Sequence, residues 1–275
     1  MPELPEVETT RRGIAPIMTD RMLESFHVHE SRLRWPVPVD MPATVGGRIV
    51  RSCRRRGKYL LIGFDHGTQI VHLGMSGSLR RAPMHEPRRK HDHAEWLFAD
   101  ARFLLHDPRR FGAILWHPAE QGPVEAHPLL ARLGIEPFDP AFDGAHLVRA
   151  FAGRRISVKQ ALLAGDAVVG VGNIYASEAL HKAGIDPRVP AGRLSRPRCV
   201  KLAEAIRETL AQALESGGST LRDYVNATGE PGAYFTLHAA VYEKAGQPCA
   251  RCTTVIRRIV QGQRATYFCP RCQRR

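Results

Sequence analysis

Four of the chain's six cysteines fall in its last 27 residues, as Cys249-Ala-Arg-Cys252 and Cys269-Pro-Arg-Cys272. Two C-x2-C knuckles, 16 residues apart, set four thiolates where a tetrahedral Zn2+ takes all of them. Closing such a site supplies folding energy that a tail of about 40 residues cannot draw from a core of its own. Sulfur fills every coordination position, so one structural Zn2+ is expected and no position stays open for a substrate. Between the knuckles, Thr253 to Phe268 alternates around Gln261-Gly262-Gln263, which predicts a β-hairpin presenting Arg257, Arg258 and Arg264. Guanidinium groups on a rigid hairpin suit phosphate contact. For Arg257 and Arg258, plain solvated charge explains the pattern equally well.

The rest of the chain carries the same hint of an anionic partner. Lys and Arg total 40 against 27 Asp and Glu, a net charge of +13, and no single run accounts for the excess. A basic folded surface attracts polyanions, nucleic acid first and anionic membrane second. No stretch approaches the roughly 18 consecutive apolar residues of a membrane span, and the first 20 residues lack a signal peptide's pattern. A cytoplasmic protein without membrane attachment is expected. The other two cysteines, Cys53 and Cys199, are read as ordinary buried thiols.

Short apolar runs separated by turn signals fill residues 45–120: Tyr59 to Phe64, Gln69 to Leu79, Glu95 to Ala99, Arg102 to His106 and Gly112 to Trp116. Strands at that spacing predict an antiparallel sandwich or barrel. Beyond residue 155 the pattern becomes helical. Leu202, Ile206, Leu210 and Leu214 recur every four residues between Ser195-Arg-Pro197 and Gly217-Gly218. Asn173 is expected to cap a helix that stops at Gly184. Gly170, Gly172 and Asn173 before that helix offer backbone N–H groups to a phosphate, or merely make a tight connection. Residues 134–153, rich in Pro, Asp and Gly, read as a linker. The expected division is therefore 1–133, 134–153, 154–236 and 237–275.

The chain begins Met-Pro-Glu-Leu-Pro-Glu-Val-Glu. Initiator methionine is removed when residue 2 is small, which frees the secondary amine of Pro2. An α-amino group titrates at about 7.7 to 8.0, so a useful fraction of it is neutral at physiological pH and able to attack an electrophilic carbon. Pro5, Glu6 and Glu8 favour a helix start, and Val7, Ile14 and Ile17 fall on one face that pins the helix. Glu3, just ahead of it, is left beside the amine as a proton donor or acceptor. A surface helix whose proline and acids only cap it fits the same residues.

Several stretches together resemble one family: "PELPEVET", "GKYLL", "HLGMSGSL", "KHDH", "DPRRFG", "VVGVGNIYASEAL" and "QRATYFCPRC" look like the bacterial formamidopyrimidine-DNA glycosylases, which excise oxidised purines. The resemblance runs from residue 2 to residue 272. It implies an α+β multidomain fold: an N-terminal antiparallel β-sandwich with an N-terminal helix, a helix-two-turn-helix domain that binds DNA, and the zinc hairpin. It also implies roles. Pro2 would attack C1′ and form a Schiff base with Glu3 as general acid/base, Lys58 would serve β-elimination, and Arg264 would match the arginine linked to δ-elimination. His91, Arg109 and Arg155 would contact DNA, with Asn173 and Lys159 near phosphates. Met75, Arg109 and Phe111 would fill the gap left by a flipped nucleotide, although Met75 and Phe111 among strands would ordinarily be core residues.

The partner implied is double-stranded DNA containing oxidised bases, the protein a nucleoid-associated monomer, and the reaction base excision followed by β,δ-elimination. Two alternatives stay open: an endonuclease VIII-like enzyme for oxidised pyrimidines, and a non-catalytic zinc-hairpin DNA-binding protein. "QALLAGDAV" after Lys159 and "YFTLHAAVYEKAGQPC" before the zinc knuckle depart from the family's usual pattern, which leaves the damage-binding loop, expected near residues 217–238, without assigned residues.

Overall fold

The computed structural model describes residues 2–219 and 232–275; residues 220–231 of the expected damage-binding loop lie outside the described residues. The chain forms two compact units, the first holding residues up to Ala131 with the described part of 216–235, the second Arg132–Glu215 with Thr236–Arg275.

The first unit opens with α1 (Leu4–Met18), β1 (Arg21–Leu23), β2 (Ser25–Val28), α2 (Met41–Val45) and β3 (Arg48–Val50). Seven strands follow: β4 (Ser52–Arg56), β5 (Tyr59–Phe64), β6 (Gly67–His72), β7 (Ser78–Ala82), β8 (Asp92–Phe98), β9 (Ala101–His106) and β10 (Ala113–Pro118). Together with β2 they pair antiparallel into two four-stranded sheets, in the orders β10-β6-β5-β4 and β2-β8-β9-β7. The sheets share one core. Phe26, Trp96, Phe103 and Leu105 from one meet Leu60, Ile62, Val71 and Ile114 from the other, closed by Val7, Ile14 and Met18 of α1. This is the sandwich that the alternating runs predict, because each strand turns one row of side chains inward. Trp96 also crosses between the sheets, donating its indole N–H to Gln69 Oε1 at 2.8 Å, which satisfies a polar group that would be costly to bury alone.

One run behaves differently from its sequence reading. Gln69 to Leu79 is not a single strand: it divides into β6 and β7, which belong to different sheets. The break falls at Gly74, whose φ of +69° only glycine adopts without strain. A Cβ there would lie 2.4 Å from the backbone nitrogen of Gly112. Gly74→Ala is therefore expected to destabilise the first unit by about 1–3 kcal/mol, read as a lower midpoint in urea unfolding.

The second unit holds α3 (Gly144–Phe151), α4 (Val158–Ala164), α5 (Asn173–Lys182), α6 (Arg196–Glu215) and the hairpin β11 (Arg257–Gln261) and β12 (Arg264–Phe268). Part of the expected linker is thus helical. Asp143 caps α3 by accepting the N–H of His146 at 2.6 Å, and Leu147 and Phe151 are buried. Arg207 of α6 donates to Pro137 O at 3.2 Å, which fastens the chain leading into α3. Asn173 is the first residue of α5 and Gly172 its cap, one position earlier than the sequence suggests. Gly262 and Gln263, both at positive φ, make the two-residue hairpin turn between Gln261 and Arg264. Among the described residues, no helix is long and apolar enough to cross a membrane.

Candidate active site

In the first unit, Pro2 and Glu3 are buried at the head of α1, Glu3 being only 2% exposed. The helix that carries them is fixed on two sides. Its apolar face lies in the sandwich core, and Glu8 pairs with Arg55 of β4 at 3.2 Å. Burial tends to raise the Glu8 pKa, but the hydrogen bonds from Arg11 and Arg12 and the charge of Arg55 outweigh it and hold the group below its ordinary range.

Glu6 adds a device that helix capping alone does not explain. Glu3 and Glu6 form a capping box, in which Glu6 Oε2 accepts the N–H of Glu3 at 2.7 Å. Its other oxygen, Oε1, accepts the N–H of Ser219 at 2.7 Å. One carboxylate thus holds the chain end and the backbone of Ser219 together. Glu6→Gln has a single acceptor oxygen and strands one of these buried N–H groups. The expected cost is about 1–3 kcal/mol, checked by denaturant titration.

Lys58 follows Gly57 in the turn between β4 and β5. Tyr59, the next residue, starts β5 and pairs with His72 of β6, their rings 4.9 Å apart. Burial, with help from the charges of Lys58 and Arg34, pushes the His72 pKa down to about 4. His72 is therefore neutral at pH 7. Its Nδ1 accepts the N–H of Gly74 at 3.0 Å, which leaves the proton of the neutral ring on Nε2. Sequence reasoning does not single out His72, because its partner lies on a neighbouring strand.

Met75 sits between β6 and β7, and Arg109 and Phe111 between β9 and β10. A single buried carboxylate joins these two loops. Asp107 Oδ1 accepts from Ser76 Oγ at 3.1 Å and from the Arg109 N–H at 3.3 Å, and Oδ2 accepts from the Gly112 N–H at 2.7 Å. Phe111 is not a core residue: it is 43% exposed, with the Arg109 guanidinium 4.9 Å above its ring. Met75 is half-buried. An exposed aromatic with a stacked arginine, set on a loop braced from below, is a shape suited to entering a base stack. His91 is partly exposed, its ring 6.1 Å from His93 and 5.9 Å from His106. Its neighbours in "KHDH" are already engaged, Asp92 by Arg80 and His106, and His93 by Asp107 O.

In the second unit, the carbonyl of Ala265 is the meeting point. It accepts from Asn173 Nδ2 at 3.0 Å and from Lys159 Nζ at 2.9 Å. Lys159 is fully buried and also donates to Thr266 Oγ1 at 2.9 Å. Its ammonium is directed at the β12 strand of the hairpin. Tyr242 OH accepts from Asn173 at 3.4 Å, a neighbour the sequence does not announce. Gln261 donates to Ser157 Oγ at 3.0 Å and ties the hairpin to the start of α4. Arg264 and Arg155 are exposed and make no ion pair among the described residues. The hairpin thus holds Arg264 on a braced base with its guanidinium in solvent.

The four thiols, Cys249, Cys252, Cys269 and Cys272, lie with their sulfurs all within 4.8 Å of one another. A tetrahedral Zn2+ with bonds of about 2.3 Å needs sulfurs about 3.8 Å apart, so the donor set fits one ion. Cys249 and Cys269 are buried under Val241, Ile256 and Tyr267, which makes the metal the centre of the finger's small core.

Comparison with known proteins agrees with this layout part by part. Residues 1–114 match the formamidopyrimidine-DNA glycosylase N-terminal domain, 133–225 the H2TH domain of the same enzymes, and 246–275 a zinc finger found in FPG and IleRS. A formamidopyrimidine-DNA glycosylase of Bordetella pertussis is 69% identical over 275 residues, all of both chains. A variant of the Lactococcus lactis FPG bound to Fapy-dG DNA superposes with a TM-score of 0.91 at 33% identity, covering all of both chains. The wild-type enzyme bound to DNA with an oxidised pyrimidine gives 0.90 at 32% identity, again over both whole chains. With these three domain matches in order along the chain and a relative of 69% identity over its whole length, the chain belongs to the formamidopyrimidine-DNA glycosylase family.

Proposed function

We propose that this protein is a bifunctional DNA glycosylase and abasic-site lyase of base excision repair, acting on oxidised purines in duplex DNA. The observation that supports it most is the placement of Pro2 and Glu3 at the head of a helix pinned to the sandwich, with Glu6 fixing the Glu3 backbone at 2.7 Å. A damaged base inside a duplex hides C1′, so the nucleotide leaves the stack at a cost of about a few kcal/mol. Met75, Arg109 and Phe111 fill the vacancy, and His91, Arg155, Asn173 and Arg264 contact the DNA. Lys159 acts indirectly, by holding the strand that carries Arg264.

The Pro2 nitrogen bonds to C1′ as the bond from C1′ to the base breaks, and the base departs with the proton that the Pro2 nitrogen gives up. Glu3 protonates the ring oxygen O4′, and the sugar opens to an iminium on Pro2. The iminium acidifies the C2′ protons. Loss of one expels the 3′ phosphate, assisted by Lys58, and a second elimination expels the 5′ phosphate, with Arg264 stabilising the leaving oxygens. Zn2+ takes no part in these steps and keeps the finger folded. We place the reaction in the cytoplasm at the nucleoid, with the protein as a monomer.

Borohydride reduces the iminium to a stable amine. The mature protein should be trapped on a duplex holding 8-oxoguanine opposite cytosine. A non-catalytic DNA-binding protein would give no adduct. One similar structure holds an oxidised pyrimidine, so thymine glycol is the comparison substrate. Faster excision of 8-oxoguanine supports the purine reading, and faster excision of thymine glycol contradicts it.

A further inference from the structure

Helix α5 grips the zinc finger along its whole length. At its start Asn173 donates to Ala265 O. In its middle the Glu178 carboxylate accepts the N–H groups of Ala240, Val241 and Tyr242 at 2.7, 3.0 and 2.8 Å. In its last turn His181, 4% exposed, places Nε2 3.5 Å from Cys249 Sγ, and Arg251 donates to His181 O at 3.1 Å. Glu178 and His181 are three residues apart and therefore share a helix face.

We infer that His181 donates its Nε2–H to the zinc-bound thiolate of Cys249 and slows loss of the metal, so that α5 is part of the metal site. A cysteine bound to zinc is a thiolate and can only accept. At a contact of this length the imidazole is therefore the donor. Four thiolates and one Zn2+ sum to a charge of −2 on the cluster, and a buried N–H directed at one sulfur offsets part of it. Groups hydrogen-bonded to metal ligands typically change metal affinity by about 10–100-fold. The same helix starts at Asn173, next to the strand bearing Arg264.

The test uses the full-length protein loaded with Zn2+ or Co2+. His181→Phe keeps a ring of similar size without the donor, and His181→Gln restores an N–H at similar reach. Zinc transfer to a chromogenic chelator should be faster by about tenfold or more in His181→Phe, and largely restored in His181→Gln. In the Co2+ form, loss of the donor should move the thiolate-to-cobalt charge-transfer band to longer wavelength. Wild-type rates and spectra in both variants, or equal acceleration in both, would overturn the inference, the second outcome making His181 a packing residue. A measurement without any variant stands beside these: 15N spectra of the wild-type imidazole should show the proton of His181 on Nε2, and a proton on Nδ1 alone contradicts the donor role.

Discussion

Replacing Pro2 by Glu should abolish borohydride trapping on 8-oxoguanine DNA while leaving DNA binding largely intact. A large residue at position 2 retains the initiator methionine, so the free amine becomes primary and lies one residue, about 3.8 Å, further out. Misplacing a reacting group by about 1 Å already costs on the order of a hundredfold. The loss here should exceed about a thousandfold in single-turnover excision. The binding measurement separates this from unfolding, because the helix is held by Val7, Ile14, Met18 and the pair of Glu8 with Arg55, none of which the substitution removes. Wild-type trapping by the variant would mean that the nucleophile is another amine.

The second large effect concerns the metal. Cys269 is fully buried, and Cys269→Ala removes one of four ligands from a site whose binding free energy is about 10–16 kcal/mol in small zinc domains. The variant should hold substantially less zinc than the wild type by elemental analysis. Its affinity for duplex should fall by at least about tenfold, since the hairpin bearing Arg264 loses its frame and one such contact is worth about 1–3 kcal/mol. Treating the wild type with a strong chelator should give the same weakened binding. Unchanged affinity after complete zinc removal would refute a structural role for the metal.

How much of this is written locally in the chain differs from feature to feature. The zinc knuckles, the hairpin and the capped N-terminal helix are legible because their partners lie a few residues apart: Cys249 with Cys252, Gln261 with Arg264, Glu3 with Glu6. The strands are legible because alternation is a local property. Gln69 to Leu79 misleads for the converse reason. Its apolar spacing continues through Gly74, but the chain changes sheet there, and only the approach of Gly112 reveals it. The helix α3 is obscured by the turn-forming residues before it, and its buried face depends on packing within the second unit.

The residues of the candidate site divide the same way. Pro2, Glu3 and Arg264 stand in recognisable stretches. Asp107 and His72 stand in such stretches too, but their work depends on Ser76, Gly112 and Tyr59 across the sheet. The second bond of Glu6 joins it to a residue 213 positions away, and no window of sequence contains both. The resemblance puts Lys159 near phosphates but says nothing of its burial. Its burial follows from the hairpin carbonyl and hydroxyl that receive it.

The central claim is that the N-terminal proline is the nucleophile. Borohydride-trapped complex, digested with nuclease and then trypsin, locates the sugar remnant by mass spectrometry. The remnant should be on the peptide Pro2 to Arg11, attached at Pro2 itself. Its appearance on a peptide containing Lys58 or Lys159, or on one that still begins with Met1, would contradict the mechanism.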